Sequence, residues 1–331
     1  MTLRLSVALC TFNGEKYLPE QLASISSQLR LPDELVVCDD ASTDSTRSII
    51  EDFVSSAPFP VRTHFNDRNR GTTRNFETAI ALSSGDVIAL CDQDDVWLPH
   101  KLVRLESEFL ARPESGLVFS NAQIVDEQLQ PTGLNLWEAV GFDAERQKLL
   151  TKRERSLEVL LPGWTVTGAT MAFRSKYKPV ALEIPDDLPI VHDGWIALVV
   201  AALSDVAMIK EPLIKYRQHT AQQIGAPKHR LAEQTPKSSA HVRDAFIRSN
   251  SYEALIDIAC RLRERLETAA QIFETDQAIQ QLDSRLAHMR SRANLPKSPI
   301  ERVPVVLAEL LSLRYSRFSN GIYSAVKDLL A

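Results

Sequence analysis

An α/β fold built on a mostly parallel sheet, flanked by helices and followed by a helical C-terminal region, is what this 331-residue sequence predicts. Three observations lead there. Short, continuous apolar runs alternate with segments of helical spacing through the first half. Each run ends in polar, turn-forming residues. Beyond residue 245 only helical spacing remains.

The elements follow in order. Residues 5–10 read as a buried strand, and 17–29 as a helix. Residues 34–38 form a second strand, with a helix over 44–54 capped by Ser42 or Asp44. A third strand spans 61–65 and a third helix 73–82. The fourth pair is a strand at 87–91 and a helix at 101–110. Such alternation means βαβ units and parallel pairing. The rhythm then loosens. Residues 117–120 and 165–173 read as strands, 126–151 are poorly patterned, 193–203 read as a helix, and 213–218 as a short strand. A stretch rich in Gln, Pro, Lys and Ser over 221–244 reads as a linker or mobile loop. It divides an α/β domain over 1–220 from helices over 245–331. There Ala254, Ile258, Leu262 and Leu266 share one face, and a last helix over 303–330 breaks near Gly321.

Composition excludes several classes. The net charge is −5 and the chain is 44% hydrophobic and 24% charged, ordinary for a globular protein and unsuited to wrapping nucleic acid. With 11 Gly and 17 Pro it is neither collagen-like nor disordered. No run approaches the roughly 20 apolar residues of a membrane-spanning helix, and no secretory h-region follows Met1. Cys10, Cys38, Cys91 and Cys260 form no CxxC and read as free thiols of a reducing cytosol. Cys10, Cys38 and Cys91 all end strands, and small apolar residues at strand ends outweigh a thiolate metal site. Residues 285–331 carry eight Lys/Arg and three acids, a candidate contact for anionic lipid as well as a solvated face.

Ligands of an open parallel sheet bind outside the carboxyl ends of its strands. There this sequence sets Thr11, Phe12, Asn13 and Gly14, then Asp39 and Asp40, then Arg70 and Arg74, then Asp92, Gln93, Asp94 and Asp95. Five carboxylates on one rim repel one another unless a cation or hydrogen bonds compensate them. An oxygen-rich set favours Mg²⁺ or Mn²⁺, which leaves positions for substrate phosphates. Arg70 and Arg74 would hold further phosphate charge. The residues therefore suggest a metal-bridged phosphate ester, best read as a nucleotide.

The segments 6–13, 37–44 and 92–97 resemble glycosyltransferase family 2, whose fold is called GT-A, and the likeness runs over about residues 3–220. The pieces 167–173, 192–195 (His-Asp-Gly-Trp) and 216–219 (Tyr-Arg-Gln-His) look most like its rhamnosyltransferase-type members. The resemblance implies a nucleotide lying against Thr11, Phe12, Asn13, Asp39 and Asp40, with Arg74 and Asp92 also on the nucleotide-sugar. It implies metal at Asp94 and His219, and Asp193 as general base. Asp95, Trp97, Gly168, His192 and Trp195 are candidates for acceptor contact or for support of the site.

The implied partners are a nucleotide diphospho-sugar, with dTDP-L-rhamnose favoured over UDP-hexose, and a saccharide acceptor, lipid-linked in the favoured reading, such as a growing surface polysaccharide. The implied location is the cytoplasm, peripheral to the inner face of a bacterial plasma membrane, and the C-terminal helices are candidates for self-association. Ala41 stands where the family's DDGS pattern has Gly, His192 stands where many members have Glu, and the QxxRW motif of processive synthases is missing.

Blander readings compete. On spacing alone Asp193 is an N-cap of the helix after it, and the resemblance reverses that. Asp44 reads as a pure cap, Asp95 as a cap or supporting residue, and Trp97, Trp164 and Trp195 equally as core. Among rival enzymes, Asp92-Gln93-Asp94-Asp95-Val96 fits the DxDx[TV] pattern of haloacid dehalogenase phosphatases, but follows the fourth strand instead of the first. The Gly-rich loop of a pyrophosphorylase and the GxGxxG of a dinucleotide enzyme are missing. A nucleotide-sugar-binding scaffold without chemistry would keep Asp39 and Asp94 and lack Asp193.

Overall fold

The computed structural model describes residues 2–163, 165–220, 222 and 252–330. The expected 221–244 linker and Trp164 lie outside them, Gln222 excepted. Strands β1 (Leu5–Thr11), β2 (Glu34–Asp39), β3 (Val61–Phe65) and β4 (Val87–Cys91) alternate with helices α1 (Leu18–Ser26), α2 (Thr46–Ser56) and α3 (Thr72–Leu82). A short β5 (Val96–Trp97) and α4 (Lys101–Ala111) follow. Next come β6 (Ser115–Val125), β7 (Pro131–Asn135), α5 (Leu136–Ala139), α6 (Ala144–Leu150), α7 (Ser156–Leu160), β8 (Met171–Arg174), α8 (Lys178–Ala181), α9 (His192–Leu203) and β9 (Asp205–Arg217).

All nine strands join one sheet in the order β3-β2-β1-β4-β8-β6-β9-β5, with β7 on β6. The β3-β2-β1-β4 half is parallel, β8 is antiparallel to both its neighbours, and β6 and β9 pair in parallel. The expected mostly parallel α/β architecture is present. Every residue of β1, β2 and β4 is buried, as strands covered on both faces require.

Differences from the sequence reading have local causes. The stretch 165–173 alternates like a strand, yet only Met171–Arg174 pairs; before it Gly168–Thr170 form a 3₁₀ turn. The Gly168 N–H donates to the Asp193 side chain instead of a neighbouring strand. The poorly patterned stretch 126–151 holds β7, α5 and α6. Asn135 and Glu138 make a capping box on α5, and Asp143 caps α6 by accepting from the Arg146 N–H.

Helix α9 is apolar all round, with Trp195 to Leu203 buried, because sheet and helices surround it. Trp195 and Trp97 are core residues here, and the indole N–H of Trp195 donates to the Ala181 carbonyl at 3.1 Å. The C-terminal region is helical as expected: α10 (Tyr252–Ala269), α11 (Asp276–Ala293), α12 (Pro299–Leu311), α13 (Arg314–Phe318) and α14 (Ile322–Leu330). The expected 303–330 helix breaks twice, at Leu313 (φ +58°) and Gly321 (φ +57°). Arg265 of α10 donates to the carbonyls of Val180, Leu182 and Glu183, and Arg317 pairs with Glu158, fastening these helices to the sheet-bearing body.

Ala41 sits at φ +62°, a left-handed conformation that costs a Cβ-bearing residue about 1–2 kcal/mol. Ala41→Gly should therefore stabilise the protein by about 0.5–1 kcal/mol, after the entropy that glycine adds to the unfolded chain. Urea denaturation at constant m-value checks this; a fall in the midpoint would mean that the loop's neighbours, and not its backbone, set the cost.

Candidate active site

Parallel strands all end at one rim, so the loops after β1, β2 and β4 converge there. Their polar residues first satisfy one another. Asp39 is buried and accepts from the Thr11 hydroxyl at 2.7 Å, the Ser42 hydroxyl at 2.6 Å and the Ser42 N–H at 2.9 Å. Asp40, also buried, accepts from the Asn66 amide at 2.7 Å and from the N–H groups of Arg70 and Gly71, each at 2.8 Å. It thus shapes the loop after β3. Asn13 accepts from the Thr43 N–H, joining the first two loops. Phe12 remains 39% exposed at the mouth, free for a planar ligand to lie on. Arg74 pairs with Glu77 and Asp186, so a phosphate would compete with both carboxylates for its guanidinium.

The loop after β4 carries the charge. Asp92 feels both Asp94 and Asp193, and burial together with these two pushes its pKa up to about 8. Asp94 meets His219 at 2.9 Å through Nε2, and the His219 ring packs 4.6 Å from Tyr17. Asp95 departs from the expected five-carboxylate rim. It is fully buried beneath the loop, takes the Arg217 N–H at 3.0 Å on Oδ1 and leaves Oδ2 without a partner; burial pushes it well above the usual carboxylate range.

Asp193 stands in the first turn of α9. Its Oδ2 accepts from the Gly168 N–H at 2.7 Å and its Oδ1 from the Gly194 N–H at 2.6 Å. A carboxylate oxygen has a second lone pair, so each keeps room for another proton donor. Gly168 gives this approach its room: a Cβ there would lie 3.2 Å from His192 Nε2 and 3.4 Å from Asp193 Oδ2, so the imidazole would have to give by a few tenths of an ångström. His192 is buried, stacks on Phe76 at 4.0 Å, and both its ring nitrogens lack partners. Burial holds its pKa down, so the ring is neutral at pH 7 and able to donate at one nitrogen and accept at the other.

Sequence reasoning missed three residues that hold this arrangement. Gln93 clamps Phe12, accepting from its N–H at 2.8 Å and donating to its carbonyl at 3.0 Å; a Cβ on Gly14 would meet the same Gln93 side chain at 2.3 Å. Arg217 donates to the carbonyls of Asp94 and Glu127 and pairs with Glu20. Lys101 is fully buried, lies 3.7 Å from the Trp97 ring centroid and donates to the Ala169 carbonyl at 2.6 Å. Burial lowers its pKa to about 8 against the pull of Cys91, Asp95 and Asp92. Only a Lys at the start of an amphipathic helix hints at this, and that pattern normally means a solvated face. Cys10 and Cys38 are buried thiols whose pKa burial raises, to about 12 for Cys38, so they are no thiolate site. A cleft of about 490 Å³ beside Arg153, Leu157, Phe273 and Gln281 shares no residue with the rim.

The family model for glycosyl transferase family 2 matches residues 6–177, just over half of the chain and the whole carboxylate rim up to β8. The chain belongs to this family. This chain, a glycosyltransferase of that family, is also similar over most of its length to an uncharacterised glycosyltransferase of a Nostoc species, at 27% identity over 80% of this chain and 81% of the relative. The dTDP-rhamnosyl transferase RfbG of Shigella flexneri is 27% identical over 66% of this chain and 74% of its own. An uncharacterised Mycobacterium tuberculosis protein is 27% identical over 65% of this chain and 59% of its own length. Among solved structures, Staphylococcus aureus TarS 1–349 in complex with UDP-GlcNAc superposes with a TM-score of 0.58 over 96% of this chain and 84% of that one, at 16% identity, a likeness of fold.

Two predictions follow from the charges. Between about pH 4 and 8 the folded protein keeps the Asp92 proton that the unfolded chain releases, so stability falls as pH rises through that window. Asp92→Asn cannot ionise. It should equal the wild type near pH 4 and exceed it at pH 8 by at least about 1 kcal/mol in metal-free thermal unfolding. Parallel curves at both pH values would show that Asp92 ionises freely in the fold. Lys101→Met should cost about 2–4 kcal/mol, since it strips the Ala169 carbonyl of its donor and the carboxylates of a cation. It should also move the Asp92 titration upward in carboxyl ¹³C NMR; an unmoved titration would reduce Lys101 to packing.

Proposed function

We propose that the chain is an inverting glycosyltransferase that moves L-rhamnose from dTDP-L-rhamnose to a hydroxyl of a lipid-linked precursor of a cell-surface polysaccharide. In this reading residues 1–220 are the catalytic domain and the reaction takes place at the cytoplasmic face of a membrane. UDP-hexose is the second choice of donor. The observation that carries the reading is the carboxylate of Asp193, aimed by two backbone N–H groups and in electrostatic contact with Asp92 at the rim where the family binds its donor. The rhamnosyl transferase relative supports the choice of sugar.

The residues present fit a divalent cation. Asp94 and His219 already share a 2.9 Å contact, and Asp92, whose proton is held by burial and by the neighbouring Asp94 and Asp193, would give it up to a cation. Two carboxylates and an imidazole suit Mn²⁺ as well as Mg²⁺. Among the described residues no three acidic, His or Cys side chains are gathered tightly enough to hold an ion by themselves, so diphosphate oxygens would complete the shell. When bound, the ion would act as a Lewis acid for the charge that develops on the leaving diphosphate.

The chain's own residues do the rest. Thr11, Phe12, Asn13, Asp39 and Asp40 form the nucleotide wall, fixed by their mutual hydrogen bonds before the donor arrives. Asp193 accepts the acceptor's hydroxyl proton as that oxygen attacks the anomeric carbon from the face opposite the diphosphate, which inverts the centre. Gly168 and Gly194 keep the carboxylate turned toward that oxygen. Asp95, Lys101 and Arg217 hold the loop that carries Asp92 and Asp94.

Asp193→Asn should reduce transfer from dTDP-L-rhamnose by about 10²–10⁴-fold. Donor affinity by calorimetry should change less than about threefold, because the amide keeps the shape and loses the basicity and one of the two backbone N–H bonds, neither of which touches the donor. Transfer that persists would remove Asp193 from the base role. Absence of any turnover with either donor by the wild type, despite binding, would favour a nucleotide-sugar-binding scaffold.

A further inference from the structure

The last two long helices are amphipathic in the reverse sense. On α12 the stripe Ile300, Val303, Leu307 and Leu311, at helical spacing, faces outward, with Ile300 83% and Leu311 84% exposed. On α14 the same holds for Ile322, Val326 and Leu330, the last 81% exposed. The inward faces carry much of the polarity. Glu309 of α12 is buried against His288 at 2.6 Å and pairs with Arg314. Asp328 of α14 is buried between Arg292 and the Tyr315 hydroxyl. These buried bonds lock the rotation of both helices, so the outward leucines are not a loose docking that could roll inward. Exposed apolar stripes of this kind on two neighbouring helices mark an interaction surface.

The surrounding charge selects the occupant. The basic surplus over 285–331 is smaller at the surface than the sequence suggests, because Arg292, Arg314 and Arg317 are spent on Asp328, Glu309 and Glu158, and Arg285 is buried against the Leu157 carbonyl. Arg302 is turned to the carbonyls of Pro296, Lys297 and Asp328 and Arg290 to the Cys260 thiol, which leaves Lys297 and Lys327 as exposed cations with no ion pair among the described residues; Glu301 is the one exposed acid among the described residues of the two helices. Lys327 lies one turn from Tyr323 and Leu330 on the same outward side. An apolar stripe flanked by unpaired cations, with an exposed Tyr at its edge, matches the interface of an anionic bilayer, where side chains sink to the acyl boundary and cations meet headgroups.

We propose that the outward faces of α12 and α14 form a docking surface for an anionic lipid bilayer, with Ile300, Leu307, Leu311, Ile322 and Leu330 inserted and Lys297 and Lys327 at the headgroups. This deepens the preceding reading, since a lipid-linked acceptor would be presented at that surface, yet it stands on separate residues.

The test is co-sedimentation of the full chain with vesicles of phosphatidylglycerol and phosphatidylcholine, against phosphatidylcholine alone. The wild type should bind the anionic vesicles and release them at high salt. Leu307→Glu with Leu311→Glu should lower the bound fraction at least about tenfold, with the circular dichroism spectrum and transfer to a soluble acceptor unchanged, since both side chains are exposed. Lys297→Gln with Lys327→Gln should lower it about fivefold or more. A wild type that ignores anionic vesicles, or a double Glu variant that binds them equally, overturns the proposal. So does a wild-type dimer in light scattering that the Glu variant dissociates while vesicles stay bare, which would give the face to a second copy of the chain. Vesicle binding requires no sugar nucleotide, so it survives if the proposed transfer reaction fails.

Discussion

Carboxyl groups crowded at a half-buried rim are the constraint around which this molecule is arranged. Asp92 lies beside Asp94 and Asp193, and burial with the neighbouring charge pushes the carboxyls of Asp92 and, beneath it, Asp95 toward their protonated forms. A fold can keep such a group together only by supplying donors and cations from elsewhere. Here they come from distant segments: Arg217 at the end of β9, Lys101 at the start of α4, and the backbone N–H group of Gly168. Each support also ties two elements, so the electrostatics of the site and the docking of β9, α4 and α9 onto the sheet are one problem.

The two halves of the rim solve opposite tasks. On the β1–β2 side, Asp39 and Asp40 are saturated by hydroxyls and N–H groups, which makes them rigid walls. On the β4 side the carboxylates remain under-compensated, a state that favours a cation or a proton. A preformed wall beside an unsatisfied acidic patch suits a ligand with a neutral planar end and a diphosphate carried by a metal ion. Helices α12 and α14 reverse the usual partition, with ionic partners inside and apolar side chains outside, and exposed apolar stripes favour contact with something that removes them from water.

The sequence by itself determined the layered architecture, because buried parallel strands must be short and continuously apolar and their helices must repeat at 3.6 residues. It also determined which loops share a rim, since parallel strands end on one side. Asp39, Asp40, Asp92 and Asp94 were therefore legible as a group, whereas Asp193 joined them only through the resemblance to the family. What only the tertiary structure decided is how each of them is held. Asp95 turns inward, Trp97 and Trp195 fill the core, Arg74 is engaged by Glu77 and Asp186, and Lys101 is buried at the start of α4. The physical reason is range. Strand and helix patterns are set by neighbours a few residues apart, whereas Lys101, Asp95 and Asp94 meet Ala169, Arg217 and His219 at 68, 122 and 125 residues along the chain, and no local period records them.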